Sequence, residues 1–129
     1  MMQLTGRVLV VDDDPGIRKL VRKCLEAMGL KVEEASCGRT AITQLEHDAP
    51  ELVCLDLMLP ELSGYDVCEH IRRTPRLQRV RVLMMSARAH PVDRAYAEEA
   101  GAAAYLTKPF TIAEFTSQVS ALLSDGRAA

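Results

Sequence analysis

Five residues of this chain, Asp12, Asp13, Asp56, Ser86 and Lys108, have side chains suited to handling a phosphoryl group. Each lies at or just past the end of an apolar run. The run at 8–11 leads into Asp12-Asp13-Asp14, and the run at 52–55 stops on Asp56. Residues 80–85, interrupted by Arg81, lead into Ser86, and residues 102–106 lead into Thr107-Lys108-Pro109. Short apolar runs bounded by turn residues read as buried strands. An open α/β sheet places its chemistry at the carboxyl ends of such strands. Three carboxylates brought together repel one another unless a cation joins them, and an oxygen-only donor set favours Mg²⁺. Helix capping accounts for Asp14, but it gives no reason for Asp56 to stop a buried strand. The expected chemistry is attack by Asp56 on a phosphoryl group, with Mg²⁺ neutralising charge and Ser86 and Lys108 holding the transferred oxygens.

The elements that must position these residues follow from periodicity. A first strand at 7–11 precedes a helix capped by Asp14-Pro15 and closed by Gly29. Its apolar residues Ile17, Leu20, Val21, Cys24, Leu25 and Met28 fall at helical spacing. Residues 31–35 read as an edge or near-edge strand, Ser36 or Cys37-Gly38 opens a helix to about His47, and 52–56 is the central strand. A loop at 60–64 leads to a helix at 65–73, then a strand at 80–85. Pro91 precedes a helix at 92–100 closed by Gly101, and a short strand follows at 103–106. The last helix spans 112–123, with Ile112, Phe115, Val119 and Leu122 or Leu123 expected inward. Five strands alternating with five helices predict an α/β, doubly wound parallel sheet covered on both faces.

The composition narrows the functional class. A chain of 129 residues fits one domain, expected over 1–125 with a tail at 126–129. A net charge of −2 argues against a nucleic-acid binder, and the low aromatic content of 4% offers no stacking platform for single strands. The basic cluster Arg72, Arg73, Arg76, Arg79 and Arg81 therefore reads as a solvated face. No apolar stretch is long enough to span a membrane, and the N-terminus lacks a secretory core, so a cytoplasmic location is expected. Cys24, Cys37, Cys54 and Cys68 lack metal spacing and read as small hydrophobes. His47, His70 and His90 lie scattered near helix ends, none with a partner at catalytic spacing.

In order along these elements stand Val10-Val11-Asp12-Asp13-Asp14-Pro15, Leu55-Asp56-Leu57-Met58-Leu59-Pro60, Gly64, Ser86-Ala87 and Lys108-Pro109-Phe110. With these the chain resembles the receiver domain of two-component response regulators, the CheY-like family, over nearly its whole length. The resemblance implies a flavodoxin-like strand order of 2-1-3-4-5, with Asp56 as phosphoacceptor. It implies Mg²⁺ on Asp12, Asp13, Asp56 and the backbone carbonyl of Met58. Ser86 would move toward the phosphoryl group, and Tyr105 would be the aromatic switch that turns inward. Lys108-Pro109 would be cis, and Met58 and Arg88 would tune phosphate loss. The implied partners are a sensor histidine kinase or phosphotransfer protein and a downstream protein or effector domain. These would be controlled through the face of the fourth helix, fifth strand and last helix.

In receivers of winged-helix transcription factors that face carries matched charges for a homodimer formed on phosphorylation. Here residues 111–124 hold Glu114 but no Arg or Lys, which weakens the case for the charged dimer and leaves another partner, or another pairing mode, open. The implied role is signal reception rather than turnover of a separate substrate. A haloacid-dehalogenase-like phosphatase would use Asp12 and Asp14 as a DxD pair. Gly16 departs from that pattern, the chain has no room for a cap, and Asp56 stays unexplained. An unphosphorylated receiver-like binding module would usually lack one of the acidic or lysine positions, all of which are present.

Overall fold

The computed structural model describes residues 4–125. The tail expected at 126–129 lies outside the described residues. The order is β1 (Arg7–Val11), α1 (Pro15–Ala27), β2 (Lys31–Ala35), α2 (Gly38–His47), β3 (Leu52–Asp56) and α3 (Gly64–Arg73). After a 3₁₀ turn at Pro75–Leu77 come β4 (Arg81–Ser86), α4 (Pro91–Ala100), β5 (Ala104–Thr107) and α5 (Ile112–Asp125). All strand pairs are parallel, in the order β2-β1-β3-β4-β5.

Burial explains the order. Every residue of β3 is buried, as a central strand covered on both faces requires. β2 exposes Lys31 and Glu33 and buries Val32 and Ala35, and it lies at the edge of the sheet. Alternate side chains divide between two cores. Leu9, Val11, Val53, Leu55, Val82 and Met84 pack with Leu45, Val67, Ile71 and Ala97 of α2, α3 and α4. Val8, Val10, Leu52, Cys54, Leu83 and Met85 pack with Leu25, Phe115 and Val119 of α1 and α5. Each fully buried aliphatic side chain is worth roughly 1.5–3 kcal/mol against exposure. A slip of one residue would turn both cores inside out, so the register is firmly held.

Several local expectations are corrected. β4 begins at Arg81 and includes Ser86, and β5 includes Thr107, because Ser86 pairs with Thr107 in the ladder. α3 starts at Gly64 because Ser63 and Asp66 form a reciprocal capping box. α5 continues to Asp125. Ile112 is 59% exposed and Leu20 40% exposed, so neither faces the core despite helical spacing. At the first turn of α5 the chain has only just left the sheet edge, and the inward positions begin with Phe115.

Candidate functional site

The strand order reverses direction between β1 and β3, and the crevice at such a switch point is where doubly wound sheets bind ligands. Asp12, directly after β1, and Asp56, the last residue of β3, occupy that crevice. Asp12 is fully buried and Asp56 is 5% exposed, whereas Asp13 is exposed. Carboxylate oxygens of Asp12, Asp13 and Asp56 all lie within 4.8 Å of one another. A hard divalent cation with an incomplete set of protein ligands fits this arrangement of oxygen donors. Mg²⁺ bound here would supply positive charge and polarise phosphoryl oxygens.

Local structure holds each carboxylate. Asp12 Oδ1 accepts from the Asp14 amide at 2.9 Å, and Asp14 in turn caps α1 by accepting from the Gly16 amide at 2.8 Å. The Asp12 carbonyl accepts from Arg18 at 2.7 Å, and Arg18 also pairs with Glu34 at 3.0 Å. Asp56 Oδ1 accepts from the Met58 amide at 3.1 Å. Behind Asp56 the backbone of α3 comes close. A Cβ at Gly64 would sit 2.6 Å from the Asp56 carbonyl and 2.8 Å from Leu57 Cα, so only glycine fits.

Lys108 brings one positive charge to the three carboxylates. Its Nζ lies 2.7 Å from Asp12 Oδ2 and 3.5 Å from Asp56 Oδ2. Burial disfavours the ammonium, but the hydrogen bond to Asp12 and the charges of Asp56 and Asp12 outweigh it and hold its pKa above the ordinary value. Asp56 is pushed the other way, up to about 6. Burial is the main cause, the neighbouring Asp12 and Asp13 add to it, and the Met58 amide and Lys108 oppose it. The Lys108-Pro109 bond is cis, as the resemblance implies.

Ser86 is fully buried at the end of β4, and its Oγ accepts from the Arg88 amide at 3.1 Å. That leaves the hydroxyl proton free to donate. The Tyr105 ring packs inward at 9% exposure, and its hydroxyl donates to the Arg88 carbonyl at 2.6 Å. Met58 exposes its side chain beside the site, at 55%. The Arg88 guanidinium bonds Asp93 of α4 at 2.9 Å, and that bond raises its pKa. Asp93, buried at 5% exposure, escaped the sequence reading. So did Arg18. The five-residue step from Arg88 across Pro91 carries no signal of the Arg88–Asp93 pairing.

The histidines take the helix-end places expected of them. His90 accepts from the Val92 amide at 3.1 Å as the cap of α4, and His47 and His70 lie in last turns. Cys54 and Cys68 are buried, while Cys24 and Cys37 are partly exposed, and Cys37 stands at the start of α2 in contact with Thr40.

A family profile described as the response regulator receiver domain matches residues 8–120, so the chain belongs to that family. The DNA-binding dual master transcriptional regulator RpaA of Synechocystis is 40% identical over 91% of this chain and 48% of its own length. The alkaline phosphatase synthesis transcriptional regulatory protein PhoP of Bacillus subtilis is 38% identical over 93% of this chain and 49% of its own length. The chain thus spans about half the length of these curated relatives. Among solved structures, a response regulator from Chloroflexus aurantiacus superposes with a TM-score of 0.88 at 30% identity, covering 94% of this chain and 99% of that one. The chemotaxis protein CheY4 of Vibrio cholerae superposes at 0.86 and 25% identity, covering 95% of this chain and all of that one, 100%. The chain is a receiver domain of two-component, phosphorylation-dependent signalling. Among the described residues no helix is long and apolar enough to cross a membrane.

Proposed function

We propose that Asp56 is the phosphoacceptor. A carboxylate oxygen of Asp56 attacks the phosphorus of a phosphohistidine on a sensor kinase or phosphotransfer protein. The new P–O bond forms as the donor P–N bond breaks, and the electron pair leaves on the imidazole. The observation that carries this reading is the contact of one half-buried ammonium, Lys108, with both Asp12 and Asp56 at the switch point of the sheet. Lys108 and the Ser86 hydroxyl receive the phosphoryl oxygens, while Asp12, Asp13, Asp56 and the Met58 carbonyl hold Mg²⁺. The domain also catalyses loss of its own phosphoryl group, and Met58 and Arg88 tune that rate from the rim of the site.

Phosphorylation adds about −1.5 to −2 charge at Asp56. Ser86 follows that charge and carries the Arg88 amide with it, and the Arg88 carbonyl holds the Tyr105 hydroxyl. The signal then leaves through α4, β5 and α5 to a downstream protein, an effector domain or a second copy of the chain.

The test is acetyl phosphate with Mg²⁺ followed by intact mass, for the wild type and for Asp56→Asn. One added phosphoryl group that needs Mg²⁺ and is absent from the variant is expected. Steady phosphate release surviving Asp56→Asn would overturn the assignment. In the same assay Arg88→Ala should lose its label at a changed rate, and an unchanged rate would remove Arg88 from that role.

A further inference from the structure

A concavity lies at the opposite end of the sheet, where β3 and β4 begin. It has a volume of about 620 Å³, and its apolar wall includes Pro50, Val80, Leu122 and Leu123. Arg76, Arg79 and Arg81 line the same pocket. Arg76 donates to the Leu45 carbonyl at 2.5 Å, which fixes its position while leaving its charge uncompensated. Arg79 and Arg81 form no side-chain hydrogen bond or ion pair among the described residues. The one lining carboxylate, Glu51, is engaged elsewhere: its Oε2 accepts from the Arg7 amide at 2.6 Å. Nearby Arg7 is paired with Asp48. Three guanidinium groups thus share a pocket lined, among the described residues, by one carboxylate.

Guanidinium forks match phosphate oxygens bidentately, and a pocket of this size falls within the roughly 300–1,000 Å³ of small-molecule sites. No aromatic side chain lines it, so it is not a stacking track for single-stranded nucleic acid. We propose that this pocket is a second ligand site, for a small phosphorylated molecule of the nucleoside-phosphate class. Arg76, Arg79 and Arg81 hold its phosphates, and its planar body lies against Pro50, Val80 and the edge formed by Leu122 and Leu123. This site is separate from the carboxylate cluster and stands or falls independently of it.

The probe is ADP, titrated into the full chain in EDTA and followed by calorimetry and by amide shifts in NMR. EDTA removes any route to the carboxylates through a metal. One-to-one binding is expected, with shifts confined to residues 76–81, 50–51 and 122–123. Pyrophosphate should bind more weakly than ADP, and adenosine more weakly still. The double variant Arg79→Gln/Arg81→Gln, shown to be folded by its unchanged thermal midpoint, should lose affinity about tenfold or more. Absence of binding up to millimolar ADP would overturn the proposal, as would equal affinity in the double variant or shifts centred on Asp12 and Asp56. Tighter binding of duplex DNA, lost through the same two changes, would overturn the small-ligand reading and give the patch to nucleic acid.

Discussion

At the carboxyl end of the sheet Lys108 contacts both Asp12 and Asp56, whereas at the amino end Arg79 and Arg81 form no ion pair among the described residues. The difference follows from burial. Asp12 and Asp56 are shut away from water at 0% and 5% exposure, so their charge must be answered by a cation within the fold or by protonation. Lys108 answers only part of it, which is why Asp56 remains pushed up to about 6. Arg79 is exposed and Arg81 half-buried at the pocket wall, so both stay within reach of water, and a hydrated guanidinium without a partner costs little. One end of the sheet is thus buried and only partly neutralised, and the other is open to solvent.

The contrast can be broken most directly at Lys108. Lys108→Gln leaves Asp12 and Asp56 facing each other without a cation. In EDTA it should destabilise the domain by about 2–3 kcal/mol in urea unfolding, with part of the loss recovered in Mg²⁺. A cost no larger than that of a surface substitution would mean that the carboxylates are better solvated than their burial indicates.

A smaller effect of opposite sign is expected at Asp56 itself. At pH 7.5 without Mg²⁺, Asp56→Asn removes a disfavoured buried charge and should stabilise by about 1–2 kcal/mol. Mg²⁺ should then raise the wild-type unfolding midpoint more than that of the variant. The smallest effect belongs to the amino end. Arg79→Gln and Arg81→Gln should each change stability by no more than about 0.5 kcal/mol in the same urea experiment. A larger change would show that these arginines are structural after all.

Much of the carboxylate end was legible in the chain because each strand there ends where an apolar run meets a polar residue. Asp12, Asp56, Ser86 and Lys108 are such junctions, and the structure brings all four to one edge. Helix faces were less legible. Ile112 and Leu20 sit at core spacing yet face solvent, because periodicity marks the stripe and not how far the neighbouring element reaches along it. α3 begins before Tyr65 because the capping box of Ser63 and Asp66 sets its first turn, a local pattern that apolar periodicity does not register. The arginine cluster was visible as composition, but its concavity was not. Pro50, Val80 and Leu122 come from three separate parts of the chain.

The sequence by itself determined the alternation of strands and helices and the residue type closing each strand. Both depend on local periodicity and on where burial must stop. The pairings were decided only by the tertiary structure. Lys108 reaches Asp12 across 96 residues, and Arg88 turns to a buried carboxylate on α4. The concave wall that faces Arg79 and Arg81 exists only once β3, β4 and α5 are packed together. Electrostatics depends on distance and desolvation in space, and chain order specifies neither until the two cores have closed.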